Sequence, residues 1–183
     1  MNLEELRNDY NNGKQFEFLF FWGSKGPADK ITNAVFSQWY KCNFQEDDIV
    51  YNCAEQYMMA QKAKLFNDEE IFNKIMSSND PKEMKALGRK VKNFNAEIWD
   101  KNCVDIVTRG NVLKFSQNEK LKQYLLDTKD KILVEASPYD AIWGIKMSRD
   151  NPDVLDPNKW QGTNFLGFAL VEVRETLKKQ NVM

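Results

Sequence analysis

Residues 52–66, NCAEQYMMAQKAKLF, place apolar side chains at helical spacing, and a helix of this kind must bury that face against something larger than itself. With about 100° of turn per residue and Ala54 taken as zero, Leu65 falls at roughly 20°, Met58 at roughly 40°, Phe66 at roughly 120° and Met59 at roughly 140°. Glu55 and Lys62 fall at roughly 100° and roughly 80°, inside the same arc. The segment therefore reads as an amphipathic helix whose apolar face carries two opposite charges. Asn52 as N-cap would make Glu55 the N3 acid of a capping box, and a lysine can carry its ammonium out along its own stem. The capping box leaves Lys62 unexplained. A cleft that holds both charges beside a ligand accounts for the pair, because two charges sealed in a core are costly.

The same period recurs downstream. Trp99, Cys103, Ile106, Gly110 and Leu113 repeat at helical spacing, Leu121, Tyr124 and Leu125 mark a short helix, and Leu166, Leu170, Val173 and Leu177 a final one. In NDPKEMKALGRKV, Asp80 is placed to cap, Pro81 suits the first helical position, and Glu83 completes a capping box. Strand candidates are few and short: Phe16–Gly23, two pieces within Ser37–Tyr51 around the turn QEDD, and Lys131–Ser137. The expectation is an α+β, mostly helical chain of 183 residues, with one compact domain over 15–179 and loose ends at residues 1–14 and over the last few residues.

Composition excludes several chemistries. The chain has no histidine, so a Ser-His-Asp or Cys-His nucleophile and an HExxH zinc centre are unavailable, and acid–base work falls to carboxylates, lysine or tyrosine with shifted pKa values. Gly23 and Gly26 in WGSKG make neither a P-loop nor a dinucleotide fingerprint. Lys and Arg number 26 against 27 Asp and Glu, so any anionic ligand must be held by local charge. Cys42, Cys53 and Cys103 are odd in number and widely spaced, as reduced thiols would be. MNLEELRNDYNNGK lacks a signal-peptide core and no apolar run reaches the roughly 18 residues of a membrane span, which points to a cytoplasmic protein.

A second polar cluster lies in LVEASPYDAIWG, with Glu135, Asp140, Trp143 and Gly144. Pro138 and Tyr139 form a turn that delivers Asp140 beyond a strand end; alternatively Asp140 caps a helix and Trp143 is a core aromatic. Together with Glu55, Asp140 supplies the two carboxylates that breaking a glycosidic bond requires. In QGTNFLGFAL, Asn164 is a candidate N-cap, and Gly167 in the first turn leaves room for a phosphate at the helix end or, alternatively, for close packing.

FSQWY (36–40), AEQYMMAQKAKLF, LKFSQN (113–118), LVEASPYDAIWG and NFLGFALVEVRETL occur in the order and spacing of the NADAR, or YbiA-like, family, and the sequence resembles it from Phe18 to Leu177. The resemblance implies a compact, mostly helical α+β N-glycosidase without metal or redox cofactor. Members similar to YbiA cleave the ribosyl C–N bond of early riboflavin intermediates, ribosylamino-pyrimidine phosphates, and others remove ADP-ribose from modified guanine. The implied catalytic residues are Glu55, Lys62 and Asp140, and the implied substrate-binding residues are Trp22, Ser37, Trp39, Trp143, Gly144, Asn164 and Gly167. The partner would then be a phosphorylated riboside or an ADP-ribosylated guanine in a nucleotide or nucleic acid, with no membrane involved. Glu55 or Asp140 would activate water or stabilise the sugar cation with Lys62 orienting it, or Lys62 would trap C1′ as a Schiff base. The competing expectation is a module that binds ADP-ribose or a related nucleotide without turnover, stacking it on Trp22, Trp39 and Trp143. One departure stands out: the family continues WG as WGIG, whereas this chain has Lys146, which with Arg149 is either a phosphate contact or part of a solvated loop.

Overall fold

The computed structural model describes residues 1–180, in the order α1 (Leu3–Asn11), β1 (Phe18–Phe21), β2 (Phe44–Glu46), β3 (Ile49–Tyr51), α2 (Ala54–Leu65), α3 (Glu69–Ser77), α4 (Pro81–Gly88), α5 (Ala96–Ser116), α6 (Glu119–Leu126), β4 (Ile132–Glu135) and α7 (Phe165–Gln180). Short 3-10 turns sit at Asn33–Phe36 and Pro157–Lys159. The arrangement is the compact, mostly helical α+β fold that the sequence predicts.

The two aromatic and aliphatic strand candidates pair with each other. β1 and β4 run parallel, with Phe18 opposite Ile132 and Phe21 opposite Glu135, although the whole of 22–131 lies between them. Their side chains alternate between two cores. Phe21 and Leu133 join the larger core built on α2, α5 and α7, while Ile132 and Val134 face a smaller one with Leu6, Ile145, Trp160 and Phe168. The QEDD segment forms the hairpin β2–β3, shorter than the sequence predicts, and its turn is made by Asp47 in a left-handed conformation.

α2 is the centre of the larger core. It is not amphipathic: every residue from Ala54 to Gln61 is buried, because α3, α4, α5 and β3 surround it. Tyr57 donates to Glu46 Oε2 at 2.9 Å, and Arg109 pairs with the same carboxylate at 3.1 Å, so the hairpin is tied to both α2 and α5.

Three local expectations are corrected. The cap of α2 is Cys53 rather than Asn52: the Cys53 sulfur accepts from the Gln56 N–H, and the Gln56 side chain takes the Asn52 N–H at 2.8 Å. The reciprocal bonds are shifted by one residue, and Glu55 is left out of them. Glu83 also does not reach the Asp80 N–H directly; Ser78 lies between, donating its hydroxyl to Glu83 and accepting from Asp80. Residues 1–14 are not a loose end. Asn2 and Glu5 close a capping box, Leu6 is fully buried, and Arg7 donates to the carbonyls of Pro157 and Trp160 at 2.9 and 3.1 Å. The last few residues lie partly outside those described.

The crossing of α2 and α5 depends on Gly110, where a Cβ would stand 2.5 Å from Tyr57 Cδ1. Gly110→Ala should lower stability by about 1–3 kcal/mol from overpacking, outweighing the roughly 1 kcal/mol of helix propensity that alanine adds. Urea denaturation measures the difference, and a more stable variant would mean that the Tyr57 ring yields freely.

Candidate active site

Three carboxylates from separate segments converge on one side of α2. Glu55 stands in the first turn of that helix, 6% exposed, with its backbone N–H donating to Gln38 O at 2.9 Å. Burial pushes its carboxyl up from 4.5 to about 7, and the charge of Asp140 adds to the rise; Lys85, the Trp39 indole N–H and Arg89 oppose it. Glu135 ends β4. Its Oε2 is buried without a hydrogen-bond partner, and burial first, then the charges of Asp140 and Glu55, push its carboxyl to about 8 against the pull of Lys85. Asp140 follows on the loop, its N–H donating to Ser137 Oγ and its Oδ1 accepting from Ile142 and Trp143 N–H at 2.9 and 2.8 Å. No helix follows, so Asp140 is not a helix cap; its side chain closes a turn, and that turn fixes the position of the carboxylate.

Lys62 lies two turns along α2 from Glu55, half-buried. Its ammonium sits 4.4 Å from the centre of the Phe94 ring and 5.2 Å from that of Trp99. Burial and Arg89 lower its pKa, while Glu55 opposes the change. None of Glu55, Glu135, Asp140, Lys62, Lys85 and Arg89 forms an ion pair within 4.0 Å among the described residues. Their charges are coupled across intervening space. A core ion pair would have closed that gap; unclosed, it suits proton transfer to and from a third molecule.

The same fold recurs in the solved solution structure of YbiA from Escherichia coli, with a TM-score of 0.74 at 24% identity over 92% of this chain and 89% of that one. In sequence, the chain is 46% identical over 164 residues to N-glycosidase R617 of Acanthamoeba polyphaga mimivirus, covering 87% of this chain and 95% of the relative. It is 29% identical over 143 residues to riboflavin biosynthesis protein VVA0006 of Vibrio vulnificus, covering 78% of this chain but 35% of that protein. Residues 20–178 match the NADAR domain. The chain belongs to the NADAR family.

Against the residue set that the NADAR resemblance implies, the structure brings Glu55, Lys62, Asp140 and Trp39 together. Trp22, 56% exposed, lies tilted against the exposed Tyr139 at 6.0 Å between ring centres, on the rim beside Glu135 and Asp140. Trp143 is partly buried against the larger core and edge-on to Phe165. Gly144 shapes the site from below, since a Cβ there would meet Glu135 O at 2.8 Å and Asp140 O at 3.1 Å. The Ser37 hydroxyl accepts the Trp39 N–H. Asn164 and Gly167 do not form a phosphate site. Asn164 is fully buried at the N-cap position of α7, its carbonyl accepting the Phe168 N–H, but its side chain does not cap the helix; it accepts from Glu135 N–H and donates to Leu133 O, both at 3.0 Å, and so fills the open edge of β4. A Cβ on Gly167 would lie 2.1 Å from Leu133 O, so the space a ligand would need is taken by the protein's own strand. Lys146 and Arg149 are exposed, and Lys146 takes φ +49°, the left-handed conformation in which the family's glycine is at ease.

Lys85, Arg89, Phe94 and Trp99 have no place in the site that the sequence predicts, and Glu135, noted there in the second polar cluster, has no role assigned. The signal for Glu135 was an acid ending the otherwise apolar run ILV, and for Lys85 and Arg89 an i, i+4 pair on α4.

Burial of Glu55 has a measurable consequence for stability. Because its folded pKa is raised, the folded chain keeps a proton that the unfolded chain has lost, so stability falls as pH climbs from 4.5 through about 7. That rise corresponds to at most about 3 kcal/mol at about 1.4 kcal/mol per pH unit. Glu55→Gln should therefore melt higher than wild type at pH 8 and close to it at pH 4. A melting difference that does not change with pH would show that Glu55 ionises as it does in water.

Proposed function

We propose that this hydrolase of N-glycosyl bonds acts on a small phosphorylated ribosylamine of the kind formed early in riboflavin synthesis. The observation that carries the reading is the convergence of three carboxylates without counter-ions beside Lys62. Glu135, protonated at neutral pH, donates its proton to the departing nitrogen as the C1′–N bond breaks and its electron pair moves to nitrogen. The negative Asp140 stabilises the sugar cation. Water then adds to C1′ and gives its proton to Glu55, from which solvent returns it to Glu135. Trp39 and the Trp22–Tyr139 pair offer ring faces to the base, and Lys85 on α4 with Arg89 at its C-cap, whose charges act on the carboxylates, are available for a phosphate. A polyanion gains little at a mouth lined by three acids, and a riboflavin-synthesis relative shares this domain; both favour the small metabolite over ADP-ribosylated guanine.

The lowered pKa of Lys62 supports a second route through the same residues. Its neutral amine adds to C1′ of the ring-opened glycosylamine, the substrate nitrogen leaves as the amine with a proton from Glu135, and water hydrolyses the Lys62 imine to release the sugar and restore the lysine amine.

Release of ribose phosphate from a ribosylamino-pyrimidine phosphate should exceed release of ADP-ribose from modified guanine when both are assayed side by side. Activity should be highest between about pH 7 and 8, falling below as Glu55 is protonated and above as Glu135 loses its proton. Glu55→Gln and Glu135→Gln should each lower kcat by at least roughly 100-fold. Borohydride reduction during turnover tests the second route: a Lys62 adduct by mass spectrometry supports it, and its absence leaves direct water attack. Binding of either compound with no release of sugar by wild type would identify a binding module instead.

A further inference from the structure

Lys114, in the last turn of α5, is fully buried, and among the described residues no carboxylate pairs with it. Its ammonium donates to Val35 O at 2.7 Å and Ser37 O at 3.0 Å, with the rings of Phe115 and Tyr40 centred 5.1 and 5.6 Å away. A methionine of similar length would fill this space without bringing a charge out of water, so packing does not explain the residue. What the charge provides is two charge-assisted bonds to carbonyls at the end of the Asn33–Phe36 turn. One turn back on the same face of α5, the fully buried Asn111 donates to Gln38 Oε1 at 2.8 Å.

The segment held in this way leads directly to the active site. Ser37 Oγ accepts the Trp39 N–H at 3.1 Å, Gln38 O accepts the Glu55 N–H, and the Trp39 indole stands close enough to the Glu55 carboxyl to favour its charged form. The hydrogen bonds thus run from α5 through residues 35–39 to the backbone of Glu55, and the Trp39 indole in that segment acts on its side chain. We propose that Lys114, assisted by Asn111, is a positioning residue for the reaction, holding the 35–39 segment so that Gln38 seats the first turn of α2 and Trp39 reaches the Glu55 carboxyl. The role in turnover rests on Glu55 acting in acid–base chemistry; the positioning itself does not.

The experiment pairs Lys114→Met with Asn111→Ala and Trp39→Phe, and reads Glu55 in the substrate-free protein by carboxyl carbon-13 titration, assigned by its loss in Glu55→Gln. Glu55 is faced by Lys62 from α2, Lys85 and Arg89 from α4, Glu135 from β4 and Asp140 from the following loop. All five are retained in each variant, so a change reports the Trp39 contact. The Glu55 titration should move to higher pH in Lys114→Met, by about as much as in Trp39→Phe, and combining the two should move it no further. kcat should fall by roughly tenfold to 100-fold with KM changed by less than about twofold, as expected for a displaced catalytic group. A folded Lys114→Met with wild-type titration and wild-type kcat overturns the proposal. Should that variant fail to fold, Asn111→Ala must move Glu55 in the same direction by a smaller amount, and an unmoved titration there overturns it equally. Wild type without turnover would defeat the N-glycosidase reading while leaving the titration to decide the positioning role.

Discussion

Desolvation of charge around a helix enclosed over its first two turns is the constraint on which the site depends. α2 is covered over its first two turns by α3, α4, α5 and β3, so a carboxylate in its first turn is largely withdrawn from bulk water. The helix N-terminus offers some stabilisation to an anion, and the Trp39 indole, Lys85 and Arg89 offer more, yet burial outweighs them and Glu55 titrates near neutral pH. In a chain without histidine this is how acid–base chemistry becomes available at physiological pH. The arrangement that destabilises ionised Glu55 in the folded state is the one that gives it a useful pKa.

The parallel pair β1–β4 brings the remaining groups to that helix. Pairing Phe21 with Glu135 places the chain ends that follow both strands, Trp22 on one side and the Ser137–Asp140 turn on the other, at the same edge. A two-stranded parallel ribbon has little stability alone, and here it is held by a core on each face and by Asn164, whose side chain bonds the β4 backbone like part of a third strand. Asn164 adopts φ +55° and Gly144 and Gly162 admit no side chain, so the whole 137–164 region folds tightly onto the strand end. Glu135 is therefore fixed by backbone contacts at both neighbours while its own Oε2 is left unbonded.

Much of this is legible in sequence because apolar period reports burial. α5, α6 and α7 follow from their stripes, β1 and β4 from short runs bounded by polar turns, and Glu55 with Lys62 from charge in an apolar arc. α1 is not legible by that rule, since LEELRNDYN contains only two aliphatic residues and is fixed by a capping box and by Arg7 bonding to a segment about 150 positions away. The cap of α2 is displaced because Gln56 reaches back to Asn52 as well as across to Ile75 and Ser78, a tertiary preference that a local motif does not contain. Asn164 and Gly167 fit a helix-end anion site as a pattern, and only the position of β4 shows that the space is filled. Glu135 is noted in the second polar cluster but given no role, because an acid at a strand end is ordinary; its importance comes from neighbours 80 positions earlier in the chain.

The loop after Gly144 shows how such a site tolerates change. Lys146 occupies a left-handed conformation with its N–H donating to Asp140 O at 3.0 Å and its side chain in solvent. The backbone bond, which any residue can make, contributes to the placement of Asp140, whereas the side chain makes no contact with the carboxylates. A lysine there bears the conformational strain that glycine avoids, about 1–2 kcal/mol. Neighbouring contacts offset that strain: Ile145 is fully buried and Met147 nearly so, and they hold the backbone between them in its turn. Position 146 is thus constrained through its dihedral angles rather than its chemistry, which is why the family's glycine can be replaced while Asp140 keeps its place.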